Sequence, residues 1–160
     1  MLLQTHHLDL HLQTTEAVLA RISALPPELQ QEFSPEWLDR VRASSEPSPW
    51  THGFAIVERM SGAMIGSCAF SDRPDADGVV EIAYEIAPAH QRRGYAREAA
   101  WVVSHYALTD GGARCVRAHT MQEDDASSRV LLACGFTLIG PVEMPADGLV
   151  YRWELQTPRH

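Results

Sequence analysis

Residues 81–100 read EIAYEIAPAHQRRGYAREAA. The first seven alternate, so Glu81, Ala83, Glu85 and Ala87 share one face of a strand and Ile82, Tyr84 and Ile86 the other. Strand rise then sets Glu81 and Glu85 on the same side, about 13 Å apart. Pro88 ends the strand, a polar loop follows, and Gly94 opens a helix. Ala96, Ala99, Ala100, Val103, Tyr106 and Ala107 recur at helical spacing, which predicts a helix from about Tyr95 to Leu108, stopped by Gly111-Gly112. The first amides of such a helix have no internal partner and carry the positive dipole end, a ready anion site. Gly94 leaves room for a phosphate near the backbone, and Tyr95-Ala96 keep the next turn narrow. Arg92 and Arg93 add charge that can screen a pyrophosphate, with Arg97 a turn further on. An ordinary strand–turn–helix with solvated arginines is the other reading of these residues. The segment is neither a P-loop, whose lysine is missing, nor a GxGxxG dinucleotide fingerprint.

Outward from this segment, strand and helix patterns alternate. HHLDLHLQ (6–13) alternates as a half-buried strand. Thr14 or Thr15 caps a helix to about Ile22, which Pro26-Pro27 ends, and Ser34-Pro35-Glu36 opens another carrying Trp37, Leu38 and Val41. Residues 54–57, 63–70 and 79–87 read as three strands of an antiparallel meander. Downstream come a strand at Cys115 to Thr120 and a short helix capped by Asp124 or Asp125 and stopped by Gly135. Two last strands lie near 137–139 and 149–155. With no repeat or linker, the expectation is one domain over 1–160, an α/β (α+β) fold with a mixed, mostly antiparallel sheet flanked by helices.

Of 160 residues, 21 are acidic and 13 basic, a formal charge of −8, which argues against a general nucleic-acid binder. Every basic residue is arginine, so any charged partner is gripped by guanidinium forks. Cys68, Cys115 and Cys134 are scattered and odd in number, reading as buried thiols in a reducing compartment rather than a metal site or disulfide framework. The opening MLLQTHHLDLHLQ has no basic and long apolar signal regions, and no apolar run reaches a membrane span. A cytoplasmic protein without metal, nucleic acid or membrane partners is expected.

Gln91-Arg-Arg-Gly94-Tyr-Ala96 resembles the Q/R-x-x-G-x-G/A signature of GNAT-type N-acetyltransferases, and GYAREA is similar to the G-Y-A-x-E-A of the branch that holds the ribosomal-protein N-terminal acetyltransferases. DDASSRVLLACGF (124–136) resembles that branch's N-x-x-S-x-x-V-L-x-x-x-G-F, with Ser127, Val130, Leu131, Gly135 and Phe136 in register. The resemblance spans about residues 6 to 155. It implies a GNAT-like fold with acetyl-CoA as co-substrate, in a V-shaped opening between the strand ending at Ala87 and the strand Cys115 to Thr120. Backbone groups around Ile86 and Ala87 would pair with pantetheine. Amides from Arg92 to Arg97 would hold the diphosphate, and an amine would attack the thioester directly.

Such chemistry needs a neutral amine, a stabilised oxyanion and a proton for the departing thiolate. Glu81 resembles the strand glutamate that some branches use as base, and Glu85 is second; solvated charge or arginine pairing is the other reading of both. The tyrosine acid of many relatives is replaced by Leu131, while Ser127 matches the branch's serine acid or else caps a helix. Asp124 stands where the family has asparagine and cannot donate the amide hydrogen bond of the usual cofactor contact. Glu143, Asp147, His90, His119 and the tryptophans Trp37, Trp50, Trp101 and Trp153 are lesser candidates around the acceptor. A non-catalytic acyl-CoA sensor and a nucleotide-binding regulator are the alternatives. Net acidity favours a cationic acceptor, and the resemblance leaves a homodimer open.

Overall fold

In the computed structural model, which describes residues 1–157, eight strands form one sheet in the order β1-β2-β3-β4-β5-β6-β8-β7. The strands are β1 (Leu2–Gln4), β2 (Leu8–Leu12), β3 (Phe54–Glu58), β4 (Met64–Phe70), β5 (Val79–Ile86), β6 (Cys115–Thr120), β7 (Thr137–Met144) and β8 (Gly148–Gln156). The helices are α1 (Thr15–Ser23), α2 (Pro27–Gln30), α3 (Pro35–Ala43), α4 (Tyr95–Leu108) and α5 (Ala126–Ala133). Every pairing is antiparallel except β5 with β6. A parallel neighbour requires a crossover, and α4 supplies it. The predicted mixed, mostly antiparallel α/β class is the observed one.

Alternation decides the layers. Cys68 and Phe70 of β4 and Val80, Ile82 and Ile86 of β5 pack with Ala99, Ala100, Val103 and Ala107 of α4, the predicted stripe. The opposite face of β4 and β5 carries Ser67, Ala69, Glu81, Ala83 and Glu85, beneath α1 to α3. Those helices have a small core of their own in Val18, Ile22 and Val41, flanked by Phe33, Trp37 and Leu38.

Three local readings are corrected. The first strand is a hairpin, β1 with β2, turning at His6-His7 where Thr5 Oγ1 accepts the Leu8 N–H at 3.0 Å. A three-residue strand is too short to betray itself by alternation. Pro27 opens α2 rather than only ending the preceding stretch, since proline at the first helical position loses no hydrogen bond. β7 runs on to Met144 through Gly140 and Pro141; it is an edge strand with an irregular register between Leu138 and Gly140, where proline is tolerated. Glu143 pairs across to Leu149 and Asp147 sits in the hairpin turn, and neither lines the cavities described below. Among the described residues, no helix is long and apolar enough to cross a membrane.

Candidate active site

β5 and β6 are in register only from Val79↔Cys115 to Glu81↔Arg117; beyond this both strands continue unpaired with each other. The sheet is therefore split at its centre. Ala87 N–H donates to Ile65 O at 2.8 Å, towards β4. Strand alternation then turns the backbone groups of Tyr84 and Ile86 into the split. Gln91 Nε2 donates to Ile86 O at 2.9 Å, tying the loop to the strand end. Ala87 O accepts the His90 N–H at 2.9 Å, so both backbone groups of Ala87 have partners within the protein.

A cavity of about 710 Å³ opens from this split to the start of α4. Glu85, Ile86, Gln91, Arg92, Gly94, Tyr95, Ala96, Arg97 and Ser127 of the predicted set line it, joined by Tyr84, His90, Ala126, Arg129 and Val130. The backbone does most of the shaping. Arg92 (φ 65°) and Gly94 (φ 82°) are both left-handed, a bend that turns successive amides towards one side. The first turns of α1, α3 and α5 are closed by the side chains of Thr14, Ser34 and Asp125, whereas Gly94 offers α4 none. The first-turn acid of α4 is directed elsewhere: Glu98 accepts from Thr5 Oγ1 (2.6 Å) and the His7 N–H (2.9 Å) and pairs with His7 Nδ1 (2.7 Å). Burial raises its pKa, but these three hydrogen bonds outweigh that and hold the carboxyl below its ordinary value. Among the described residues, Arg92, Arg97 and Arg129 enter no ion pair. Uncapped amides and three guanidiniums without ion-pair partners put positive charge at this mouth, an arrangement of the kind that suits an anion.

The other predicted residues fall nearby but not in this cavity. Arg93 faces a neighbouring depression with Glu58 and Tyr95, whose hydroxyl donates to Glu58 Oε2 at 2.6 Å. Asp124 is exposed ahead of α5 and does not line the cavity. Capping belongs to Asp125, which accepts the Ser128 N–H at 2.8 Å, while the buried Ser128 hydroxyl donates to Gln122 O at 2.8 Å and ties the helix to the preceding loop. Ser127 is thereby free of the capping role; its carbonyl lies 3.5 Å from the Tyr84 hydroxyl.

Glu81 lines a second cavity of about 640 Å³ on the α1–α3 side, with Ala83 next to it on the sheet floor. Its Oε1 lies 2.9 Å from His119 Nδ1, and His119 Nε2 lies 3.2 Å from Arg152 Nε. Arginine only donates, so Nε2 accepts and Nδ1 carries the hydrogen given to Glu81. The His119 ring thus holds one oxygen of the Glu81 carboxyl at the foot of the split. Of the tryptophans, only Trp37 lines this cavity, its Nε1 donating to Thr51 O at 2.8 Å; Trp50 packs on Phe70 and Tyr106, Trp101 is exposed, and Trp153 is buried.

Several contributors escaped sequence reading. Arg129 and Val130 lie one turn beyond Ala126, so the helical period of α5 could have added them. Arg21 lies three residues past Val18, a charge on the apolar side of α1, and that was its available signal. The Glu81–His119–Arg152 contacts join three strands and had none.

Residues 3–137 match the family model described as "Acetyltransferase (GNAT) domain". A curated relative, the "Uncharacterized N-acetyltransferase YjdG" of Bacillus subtilis, is 30% identical over 91 residues, which are 55% of this chain and 54% of the relative. The matched region spans about half the length of such curated relatives. The fold is similar to ribosomal-protein-S5-alanine acetyltransferase from Vibrio fischeri (TM-score 0.70, 16% identity, 98% of this chain and 96% of that one). It is also similar to RimL, a ribosomal L7/L12 alpha-N-protein acetyltransferase solved in complex with coenzyme A (TM-score 0.71, 15% identity, 98% of each chain).

Proposed function

The chain belongs to the GNAT acetyltransferase family, and from that membership we propose that it transfers an acetyl group from acetyl-CoA to a primary amine, a protein N-terminus or a small molecule, within a ternary complex. The observation that carries this reading is the uncapped start of α4 beside Arg92, Arg97 and Arg129, in a cavity that runs into the split between β5 and β6. The amides of residues 94 to 97 suit a diphosphate, and the Tyr84 backbone with the Ile86 N–H, which β6 does not pair, suits the amide-bearing pantetheine arm. A structural neighbour solved with coenzyme A supports the same ligand.

In the proposed reaction Glu81, its other oxygen already held by His119, takes a proton from the acceptor ammonium directly or through water. The neutral nitrogen bonds to the acetyl carbon, the Ile86 N–H is the donor available to the developing oxyanion, and the carbon–sulfur bond breaks. The Ser127 hydroxyl, free of capping, gives its proton to the departing thiolate and takes one back, through water, from the nitrogen that has bonded to the acetyl carbon, which leaves a neutral amide. Glu85, on the first cavity's wall, is the second carboxylate in reach and the alternative base. A cysteine nucleophile has no support, because burial pushes the Cys68 thiol up to about 12 and the Cys134 thiol up to about 11. Cys115 is also raised by burial, with Glu154 adding to it.

Calorimetry with acetyl-CoA, then thiol release over a panel of peptides and amines, tests the proposal. Saturable binding with acceptor-dependent thiol release is expected. Absence of binding overturns it, and binding without thiol release from any acceptor gives the non-catalytic sensor instead.

A further inference from the structure

The second cavity has a floor of Ser67, Ala69 and Ala83, with Glu81 at one side, and its walls include Phe33, Trp37 and Arg21. Phe33 and Trp37 are stacked at 5.8 Å. Arg21 is placed by α1 itself: Val18 and Ile22 are buried in the small core, so their helix face, and Arg21 between them, is turned inward. Its Nη1 is sealed from solvent with no hydrogen-bond partner, and among the described residues no carboxylate lies within 4.0 Å of the guanidinium. Arginine cannot discharge by losing its proton, so a half-buried guanidinium with one nitrogen held from water and no partner carries a cost that an anion in the cavity would relieve.

The other charged groups around the cavity do not meet that need. Arg40 is matched by Asp72 at 3.1 Å, and Glu32 is exposed. Glu81 is held by His119, and Glu85 acts on Arg21 only through its field. The His52 ring accepts the Ser48 N–H at 3.0 Å and shares a hydrogen bond with Thr15 Oγ1 at 2.9 Å, so it is fully occupied. One unmatched fork and one carboxylate therefore share a cavity.

We infer that this cavity takes an amine that also bears a carboxylate, with Arg21 binding the carboxylate and Glu81 receiving the amine. The inference rests on the acetyl-transfer reading above and names its acceptor class. A single planar fork matches a carboxylate in two parallel hydrogen bonds, whereas a polyamine would set a second cation against Arg21. The net charge of −8 favoured a cationic acceptor, but the field at the site is set by the groups that line it.

The test compares kcat/KM for L-glutamate and L-aspartate, the same amino acids with their carboxyls amidated, an acidic-first tripeptide amide, and spermidine. Carboxylate-bearing amines are expected to lead, the free amino acids and the tripeptide separating a small-molecule acceptor from a peptide. Arg21→Gln should then collapse the preference about 10- to 100-fold through KM, and Arg21→Lys should recover part of it. Equal or better turnover of the amidated compounds or spermidine overturns the inference, as does a Gln variant that slows all acceptors alike. Should no amine turn over while coenzyme A still binds, titration of N-acetyl-L-glutamate onto the CoA-loaded protein decides. Binding lost in Arg21→Gln upholds the carboxylate site, and no binding, or binding indifferent to Arg21, ends it. Coenzyme A affinity, measured in parallel on both proteins, reports separately on the cofactor reading.

Discussion

Replacing Gly94 by alanine separates backbone strain from ligand contact, because the fold holds a matched control. Gly94 (φ 82°) opens α4 and Gly112 (φ 74°) follows its end; a Cβ on either meets no atom within 4 Å. A left-handed conformation costs a non-glycine residue about 1–2 kcal/mol, and stiffening the unfolded chain returns about 0.4–1 kcal/mol. Each variant should therefore lose about 1 kcal/mol, or about 2–4 °C in Tm for a chain of this size. Only Gly94 lines the anion cavity. There the new methyl group stands in space open to the ligand, and loss of one charge-assisted amide contact is worth about 1.5–3 kcal/mol. Calorimetry should find Gly94→Ala binding acetyl-CoA about 10- to 100-fold more weakly than Gly112→Ala, with nearly equal melting temperatures. Equal affinities in the two variants would refute the assignment of the α4 amides to the diphosphate.

Glu81→Gln should lower kcat by about 100-fold or more with coenzyme A affinity intact; an unchanged kcat would move the base to Glu85. Burial holds the His52 imidazole below its ordinary pKa, so the folded state resists protonation while the unfolded state accepts it. Its contribution is complete above about pH 6.5 and falls away as pH drops from there towards the folded value, by at most about 1.4 kcal/mol per pH unit. Denaturant unfolding of the protein and of His52→Asn at pH 7.5, 6.5 and 5.5 should show a shallower acid loss in the variant. Iodoacetamide at pH 7 should label the native protein slowly and leave thiol release intact, since all three buried thiols are held protonated. Asp125→Ala should cost about 0.5–2 kcal/mol through loss of the α5 cap, read from the unfolding midpoint.

Elements whose signals are local were legible in the sequence. α4 was readable because its apolar stripe, its glycine start and its polar loop all act within a few residues, and the anion mouth is an end effect of that same helix. The caps of α1 and α3 at Thr14 and Ser34 were equally local. β1 and α2 were not, being shorter than any period that could reveal them. Alternation set Glu81 and Glu85 on one face but could not say that the first would meet His119 and the second the cofactor-side cavity. Those fates depend on the register of β5, β6 and β8, which join residues 38 and 33 positions apart. Chain alone therefore determined where an anion could be held. Only the tertiary fold decided where β5 parts from β6, and which side chains that parting and the inward face of α1 bring to the second cavity, because pairing and burial are set by distant neighbours rather than by adjacent residues.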